Sequence, residues 1–428
     1  MARPANMNRR TFLKSSTAAA GAAVALPQIV PSTVFGADAP SDRIVMGAIG
    51  TGGQGTGNLR GFLGSRQVQM VAVCDVDKAH RDRAKKYVDS KYKSKDCKAY
   101  NDFREITRDK EIEAVSIATP DHWHTLPAID AAKNGKDMYV EKPLTLTIRE
   151  GRVLADTVKR YGRVLQTGSQ QRSDSKFRLA CELVRNGRIG DLKNVLVRIP
   201  GNNRSCKTWK PEPVPEGFDY NFWLGPAPEA PYCKARCHYQ FRFILDYSGG
   251  QVTNWGAHYL DIAQWGIGTD DSGPVEIADA GGEFPTKGLF TTATRVNFKA
   301  KYANGVTLQC KTGGGSTRFE GTKGWIDVTR GRIKTEPAAL AKETFGADEI
   351  HLYKSSNHRG NFLDCIRTRK QPICNAEIGH RSASLCHLGN IAMLCKKTLK
   401  WDPKTEKFPD DKQANSMVSR VMRDPWSL

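Results

Sequence analysis

Ile44-Val-Met-Gly-Ala-Ile-Gly50-Thr51-Gly52-Gly53-Gln54-Gly55 runs from an apolar stretch straight into a cluster of glycines. The apolar run has the length and composition of a buried strand. The glycines after it let the chain turn sharply and let backbone come close to a ligand. Gly50, Gly52 and Gly55 stand at the G-x-G-x-x-G spacing, and a helix-length segment follows. In such a loop the backbone N–H groups and the start of the next helix hold a pyrophosphate. A second apolar run, Val71-Ala-Val-Cys74, ends on Asp75. An acid about 20 residues past the last glycine accepts from a ribose 2′-hydroxyl and repels a 2′-phosphate. The stretch therefore reads as a site for NAD rather than NADP, with Gly50, Thr51, Gly52, Gly53, Gln54, Gly55 and Asp75 as its contacts.

The same rhythm continues downstream. Apolar runs recur at 114–118 and 138–140, separated by amphipathic stretches such as His80–Tyr92 and Leu126–Asn134. Alternating strand and helix predicts a Rossmann-type, doubly wound parallel sheet over residues 40–168. Ligands on such sheets lie beyond the carboxyl ends of the strands. Two loops should then border the cofactor. One is Thr119-Pro120-Asp-His122-Trp-His124, with Thr119, Pro120 and His124 as contacts; the other is Glu141-Lys142-Pro143, with Glu141 and Lys142.

Residues 169–428 read as a second α/β domain. Helices are expected over Ile148–Tyr161, where the first domain ends, and over Phe177–Asn186. Strands are expected at 194–199, 291–302, 306–312 and 324–329, joined by turns such as Ala303-Asn-Gly305. This pattern predicts a large, open, mainly antiparallel sheet, covered on one face by helices over Asn357–Arg367 and Gly379–Lys396. A sheet face left open would favour a homodimer or homotetramer. A long Pro-rich connection, Lys210–Pro231, carries the aromatic anchors Phe222 and Trp223.

Residues 1–39 have the make-up of an export signal. Asn8-Arg9-Arg10-Thr11-Phe12-Leu13-Lys14 resembles the twin-arginine pattern, and an alanine-rich apolar stretch follows from Ala18 to Val30. The expected location is periplasmic, or otherwise exported by that route, which carries proteins already folded. No apolar run of membrane-spanning length follows the signal, so no span is expected in the mature protein. The formal net charge is +20, but Lys and Arg are scattered without a dense block. That describes a solvated basic surface rather than a nucleic-acid interface. The 11 cysteines are odd in number and lack a framework spacing. Cys233-x-x-x-Cys237-His238 is their one cluster, and it is short of ligands for zinc, so no metal is expected.

Two stretches could carry chemistry. Pro143 ends strand pairing and holds Lys142 at the sheet edge. A lysine beside a nicotinamide could hydrogen-bond a reacting hydroxyl and stabilise its developing negative charge. Asn254-Trp-Gly-Ala-His258 follows Gly249-Gly250. If helical, Asn254 and His258 stand one turn apart on one face. His258 could then act as general acid or base near neutral pH.

Taken together, Gly50–Gly55 with Asp75, Thr119-Pro120 with His124, Glu141-Lys142-Pro143 and the Asn254/His258 segment resemble the Gfo/Idh/MocA oxidoreductases. The resemblance covers residues 43 to about 400. It implies an NAD- or NADP-dependent oxidoreductase acting on a CH–OH group of a sugar, sugar derivative or cyclitol. Carried over residue by residue, Lys142 orients the reacting hydroxyl and His258 relays its proton. One position departs from the family pattern: Asn254 stands where an acid is usual. Either His258 works alone, or another acid such as Asp246 or Asp261 substitutes, or the chemistry differs.

Export adds a constraint, because little free NAD is available outside the cytoplasm. The cofactor should stay tightly bound and be reset within each turnover. Three functions follow: a sugar or polyol oxidoreductase; a redox-neutral NAD-dependent glycosidase using transient oxidation at C3 and elimination; and a binding protein that kept the fold. Tyr239, Tyr247 and Tyr259 lie near the candidate site in sequence and are further acid–base candidates.

Overall fold

A computed structural model describes residues 42–202 and 206–428; the export signal at 1–39 lies outside them. Six parallel strands form the first sheet: β1 (Ile44–Ile49), β2 (Val68–Cys74), β3 (Lys98–Tyr100), β4 (Ala114–Ile117), β5 (Asp137–Val140) and β6 (Leu165–Thr167). Their order is β3-β2-β1-β4-β5-β6. The chain reverses its direction of travel between β1 and β4, which creates a crevice at the carboxyl ends of those strands. Helices α1 (Gly53–Leu63), α2 (Lys78–Tyr92), α3 (Arg104–Thr107), α4 (Thr125–Lys133) and α5 (Ile148–Arg160) connect them. Strands buried on both faces need continuous apolar runs. β4 and β5 are buried at every residue, and separate apolar clusters pack on the two sides of the sheet.

Helix α6 (Ser175–Arg185) leads into the second sheet. Its strands are β7 (Leu192–Ile199), β8 (Glu276–Asp279), β9 (Asn297–Lys301), β10 (Thr307–Thr312), β11 (Ser316–Gly321), β12 (Trp325–Thr329), β13 (Arg332–Glu336) and β14 (Thr398–Lys400). The order is β13-β12-β11-β7-β10-β9-β8-β14. Every pair is antiparallel except β7 with β10. Alternation along β9 points Phe298 and Ala300 inward and Lys299 and Lys301 to solvent. The inner face packs on α6, on α9 (Gly256–Ile267) and on α11 (Ala376–Cys395), while α10 (His358–Thr368) lies against the first sheet.

Two further segments close the space between the sheets. Residues 206–247, with the short helix α7 (Tyr220–Leu224), form their own aromatic cluster. This segment reaches the first sheet through Lys78 N–H to the Gly217 carbonyl at 2.9 Å and Asp219 N–H to the Val76 carbonyl at 3.0 Å. The C-terminal segment follows α12 (Lys412–Ser416) and lays Trp426 against Phe222, ring centroids 5.6 Å apart, and against Trp123 at 4.8 Å. The tail thus packs on its own chain. Arg152 on α5 reaches Glu377 on α11 at 2.8 Å and Glu406 at 2.9 Å, tying the first sheet's helices to the second's. Among the described residues no helix is long and apolar enough to cross a membrane.

Candidate active site

The strand ends predicted to hold a ligand open into a cavity of about 1060 Å³. Its wall runs from Asp75, after β2, to Lys142, after β5. Those strands stand three places apart, so the crevice crosses about 14 Å of sheet. That span and volume suit a dinucleotide with a small substrate at one end.

Glycine is obligatory at two positions of the loop. Gly50 has φ +78, and a Cβ there would lie 2.6 Å from the Thr119 nitrogen. A Cβ on Gly55 would lie 1.8 Å from the Gly50 carbonyl oxygen. By contrast, Gly53 has no heavy atom within 4 Å of a Cβ position, and Gly52 none closer than 3.8 Å, so the open side of the turn faces the cavity. Helix α1 begins there with no side-chain cap and no acid in its first turn. Its leading N–H groups are left for an anion. Thr119 Oγ1 is sealed from solvent without a protein partner. These features fit a bound dinucleotide.

Asp75 accepts from Thr51 N–H at 2.7 Å and from Asp77 N–H at 2.9 Å. Burial pushes its carboxyl up, but a hydrogen bond from His80 and these backbone bonds outweigh burial and hold it below the usual range. His80 is raised in turn by Asp75. Asp77, His80 and His238 converge at this end of the cavity, with His238 Nε2 3.7 Å from Asp77. Cys233 and Cys237, next to His238 in sequence, are buried free thiols.

Glu141 and His124 act as braces. The buried Glu141 carboxylate accepts from Gln54 at 3.1 Å, Asn58 at 2.9 Å and Gln170 at 3.2 Å. It thereby ties α1 to the loop that carries Lys142. His124 bridges the Pro143 carbonyl at 2.7 Å and the Thr119 carbonyl at 2.9 Å, joining the loops after β4 and β5. Thr119, Pro120, Gln54, Glu141 and His124 all border the cavity. His122 turns away to the Trp223 carbonyl at 2.9 Å, so the two histidines do not face a common point.

Lys142, Asn254 and His258 meet at the other end. The expectation of one helix bearing Asn254 and His258 is corrected. Helix α8 (Gln251–Asn254) stops, Trp255 intervenes and α9 starts at Gly256. His258 N–H donates to Trp255 rather than to Asn254. The freed Asn254 carbonyl accepts from Lys142 Nζ at 2.9 Å, and Asn254 Oδ1 accepts from the same Nζ at 2.9 Å. Asn254 Nδ2 donates to Gln251 Oε1, which fixes the amide with its oxygen toward Lys142. Burial brings the Lys142 ammonium down to about 8, against a partial rescue by Glu141 and with further lowering by Arg242 and Arg330. Burial, then Lys142 and Arg330, hold His258 well below the ordinary imidazole value, so it is neutral at pH 7. His258 Nδ1 is sealed from solvent without a partner.

Neither acid considered as a substitute for Asn254 reaches its place. Asp261 is buried and paired with Arg172 at 2.8 Å, and Asp246 is exposed; neither borders the cavity. Of the three tyrosines only Tyr239 borders it. Tyr247 accepts from Arg236 at 3.2 Å, and Tyr259 stacks under Trp255 at 6.3 Å. Among the cavity residues that sequence reasoning did not propose for the site are Trp255, Arg242 and Arg330. Trp255 adjoins the motif and could have been named as a sugar platform. Arg330 sits on a hairpin turn with no local signal.

A Rossmann-type sheet whose crevice is bordered by residues of a second, mainly antiparallel sheet domain is a two-domain architecture suited to a dinucleotide and a small second ligand. The chain belongs to the Gfo/Idh/MocA oxidoreductase family: the model for its NAD-binding Rossmann fold matches residues 44–169 and that for its C-terminal alpha/beta domain matches residues 202–428. A twin-arginine translocation signal matches residues 6–27, marking the protein for export by that pathway. Curated relatives include glycosyl hydrolase family 109 protein 1 from Shewanella sp. strain MR-4, 31% identical over 205 residues. An alpha-N-acetylgalactosaminidase from Shewanella oneidensis is 30% identical over 205 residues. Each of these alignments spans 44% of this chain and 44% of the relative. Among solved structures, an aldose-aldose oxidoreductase from Caulobacter crescentus complexed with glycerol has a TM-score of 0.62. It is 18% identical, over 84% of this chain and 99% of that one. The WlbA dehydrogenase from Bordetella pertussis, in complex with NADH and UDP-GlcNAcA, has a TM-score of 0.61 at 17% identity, over 84% and 99%. These likenesses establish the fold.

Proposed function

We propose that the protein oxidises a ring CH–OH of a sugar or polyol, with NAD held tightly in the crevice and Lys142 acting on the reacting hydroxyl. The observation that carries this reading is the double anchorage of Lys142 Nζ on Asn254 O and Oδ1. An ammonium has three donors, so two stay on Asn254 and the third is left for the cavity. A neutral amine keeps two N–H bonds on the same oxygens and turns its lone pair toward the cavity. With a pKa of about 8, Lys142 is poised between those states. It can take the hydroxyl proton as negative charge develops on oxygen. When bound, the nicotinamide would supply the hydride acceptor. The neutral His258 imidazole can exchange a proton or hydrogen bond with the same substrate, and Trp255 offers an aromatic face to a sugar ring. Asp75 disfavours a 2′-phosphate, which supports NAD.

A second reading is supported by the family 109 relatives. The same first oxidation, at C3, would acidify the C2 proton. Elimination of the glycosidic oxygen and addition of water would follow, with the hydride returned at the end. One experiment separates the two. The exported protein is dialysed and denatured, released nucleotide is identified, and sugars and glycosides are assayed without added cofactor. About one nucleotide per chain, with a ketone or lactone formed from one sugar and a second sugar reduced to its alditol by the returned hydride, supports the oxidoreductase; free sugar from a glycoside without net redox supports the glycosidase. A Lys142→Met variant that keeps turnover would overturn both.

A further inference from the structure

We infer that the sugar taken by this site carries an anionic substituent, a carboxylate or a sulfate ester, and that Arg330 is the residue that selects it. The inference rests on the oxidoreductase reading for its location and adds the substrate class.

Four Lys and Arg side chains border the cavity, Lys142, Arg242, Arg330 and Arg359, and the first three lie close enough to act on one another. Among the described residues none of them has a carboxylate partner. Lys142 Nζ is held only by the two oxygens of Asn254. Arg242 donates to the Tyr239 carbonyl at 3.1 Å, and its guanidinium lies 4.6 Å from the Tyr239 and Phe241 ring centroids. Arg330 lies 5.0 Å from the Trp255 ring centroid and forms no hydrogen bond or ion pair.

Three acids border this part of the cavity, each hydrogen-bonded to neutral donors. Asp121 accepts from Ser248 Oγ at 2.6 Å. Glu141 accepts from three side-chain amides. Asp174 caps α6 through the N–H of Lys176 at 2.8 Å. Position 254, where a carboxylate would offset one cation, holds a neutral amide. Hydrogen bonds from neutral groups leave these carboxylates charged, and Glu141 and Asp121 both act on Lys142, so what stands beside Lys142, among the described residues, with neither a hydrogen bond nor an ion pair is Arg330. An unpaired guanidinium on the wall of a cavity attracts and orients an anion. Arginine suits the role, because its fork matches a planar carboxylate or two oxygens of a sulfate. Trp255 fixes the Arg330 plane from one side by a cation–π contact and presents its ring to the sugar. Substrate ring, anionic arm and reacting hydroxyl would then meet Trp255, Arg330 and Lys142 in turn.

The test is calorimetric binding to nucleotide-loaded protein at low salt, using matched pairs: D-glucose with D-glucuronate and glucose 6-sulfate, and D-galactose with D-galacturonate and galactose 6-sulfate. The expected result is an acidic member bound at least about tenfold tighter than its neutral parent. The preference should shrink in higher salt. Arg330→Ala should cut that preference by about tenfold, the loss falling on the acid, and Arg330→Lys should keep part of it. Arg332→Ala, on the same hairpin but outside the cavity, should leave it intact. Carboxylate and sulfate arms identify which anion is taken. No preference for any acid, or a preference that survives Arg330→Ala, overturns the inference. Binding is read without turnover, so an acid preference in a protein that oxidises nothing would refute the oxidoreductase reading alone. Turnover of neutral sugars with no acid preference would refute this inference alone.

Discussion

Replacing Asn254 by Asp puts a carboxylate where an amide oxygen now stands 2.9 Å from Lys142 Nζ. Two unit charges about 4 Å apart attract by about 4 kcal/mol at an effective dielectric near 20. That equals about three pKa units on the lysine. The new carboxylate must itself be desolvated, which trims the gain to about two units. Lys142 should then move from about 8 to about 10. The assay is the pH profile of the second-order rate at which sugar reduces the bound NAD in a single turnover, followed by reduced-nicotinamide absorbance. In the native protein the rate should rise through pH 8 as the lysine loses its proton. In Asn254→Asp that rise should shift upward by about two units. At pH 7 the rate should fall by about tenfold, since fewer neutral amines are partly offset by a stronger base. Asn254→Ala keeps the backbone carbonyl bond and should move the limb by less than about one unit. If the limb stays at 8 in Asn254→Asp, Lys142 is not the titrating group and the base assignment fails.

Two glycines should fail differently. Gly55→Ala drives a methyl into the Gly50 carbonyl and should lower the melting temperature sharply, whereas Gly52→Ala has room in the protein and should fold normally but release the nucleotide, as read by calorimetry and nucleotide content. Asp75→Ser should narrow the preference for NAD over NADP by about tenfold in titrations, by removing repulsion of a 2′-phosphate. Burial holds His122, His358 and His387 down to about 4. The unfolded chain therefore binds more protons than the folded one between about pH 4 and 6.5, so stability rises with pH across that window and is lost on acidification, by at most about 3 kcal/mol per imidazole. Glu150, pushed up to about 7 by burial, acts in the opposite sense, as do the raised His80 and Asp261. Urea midpoints measured from pH 7 to 4.5 should fall; a flat profile would show that these imidazoles are not buried neutral.

The first sheet was legible because its signals are local. An apolar run followed by glycines that no other residue can replace marks β1 and its turn, and the length of each βαβ unit leaves little freedom in pairing. Five strands escaped notice, β3, β8, β11, β13 and β14, and three of them show the want of local contrast plainly. β3 is a three-residue edge strand, Lys98-Ala-Tyr100, and β14 is another, Thr398-Leu-Lys400. β11 follows Gly313-Gly-Gly315 and places Arg318 and Glu320 on the open face, which reads as a polar loop. Its partner pairing with β7 lies more than 110 residues back in the chain and leaves no mark on local periodicity.

The site shows the same limit more sharply. Spacing four apart put Asn254 and His258 on one helical face, and the cavity does receive both. Yet the helix they were to share is interrupted, because the carbonyl that would have closed its turn is spent on a lysine 112 residues away. Periodicity reports which residues face one way; it cannot report that a backbone acceptor has been claimed by a distant donor. The interruption also bears on the missing acid. A carboxylate at position 254 would hold the lysine charged through Coulomb attraction. The amide and the carbonyl of Asn254 hold it by direction instead, leaving burial free to bring its pKa near neutrality. Substituting a neutral acceptor therefore alters the working pH and the charge of the pocket while keeping the lysine in place.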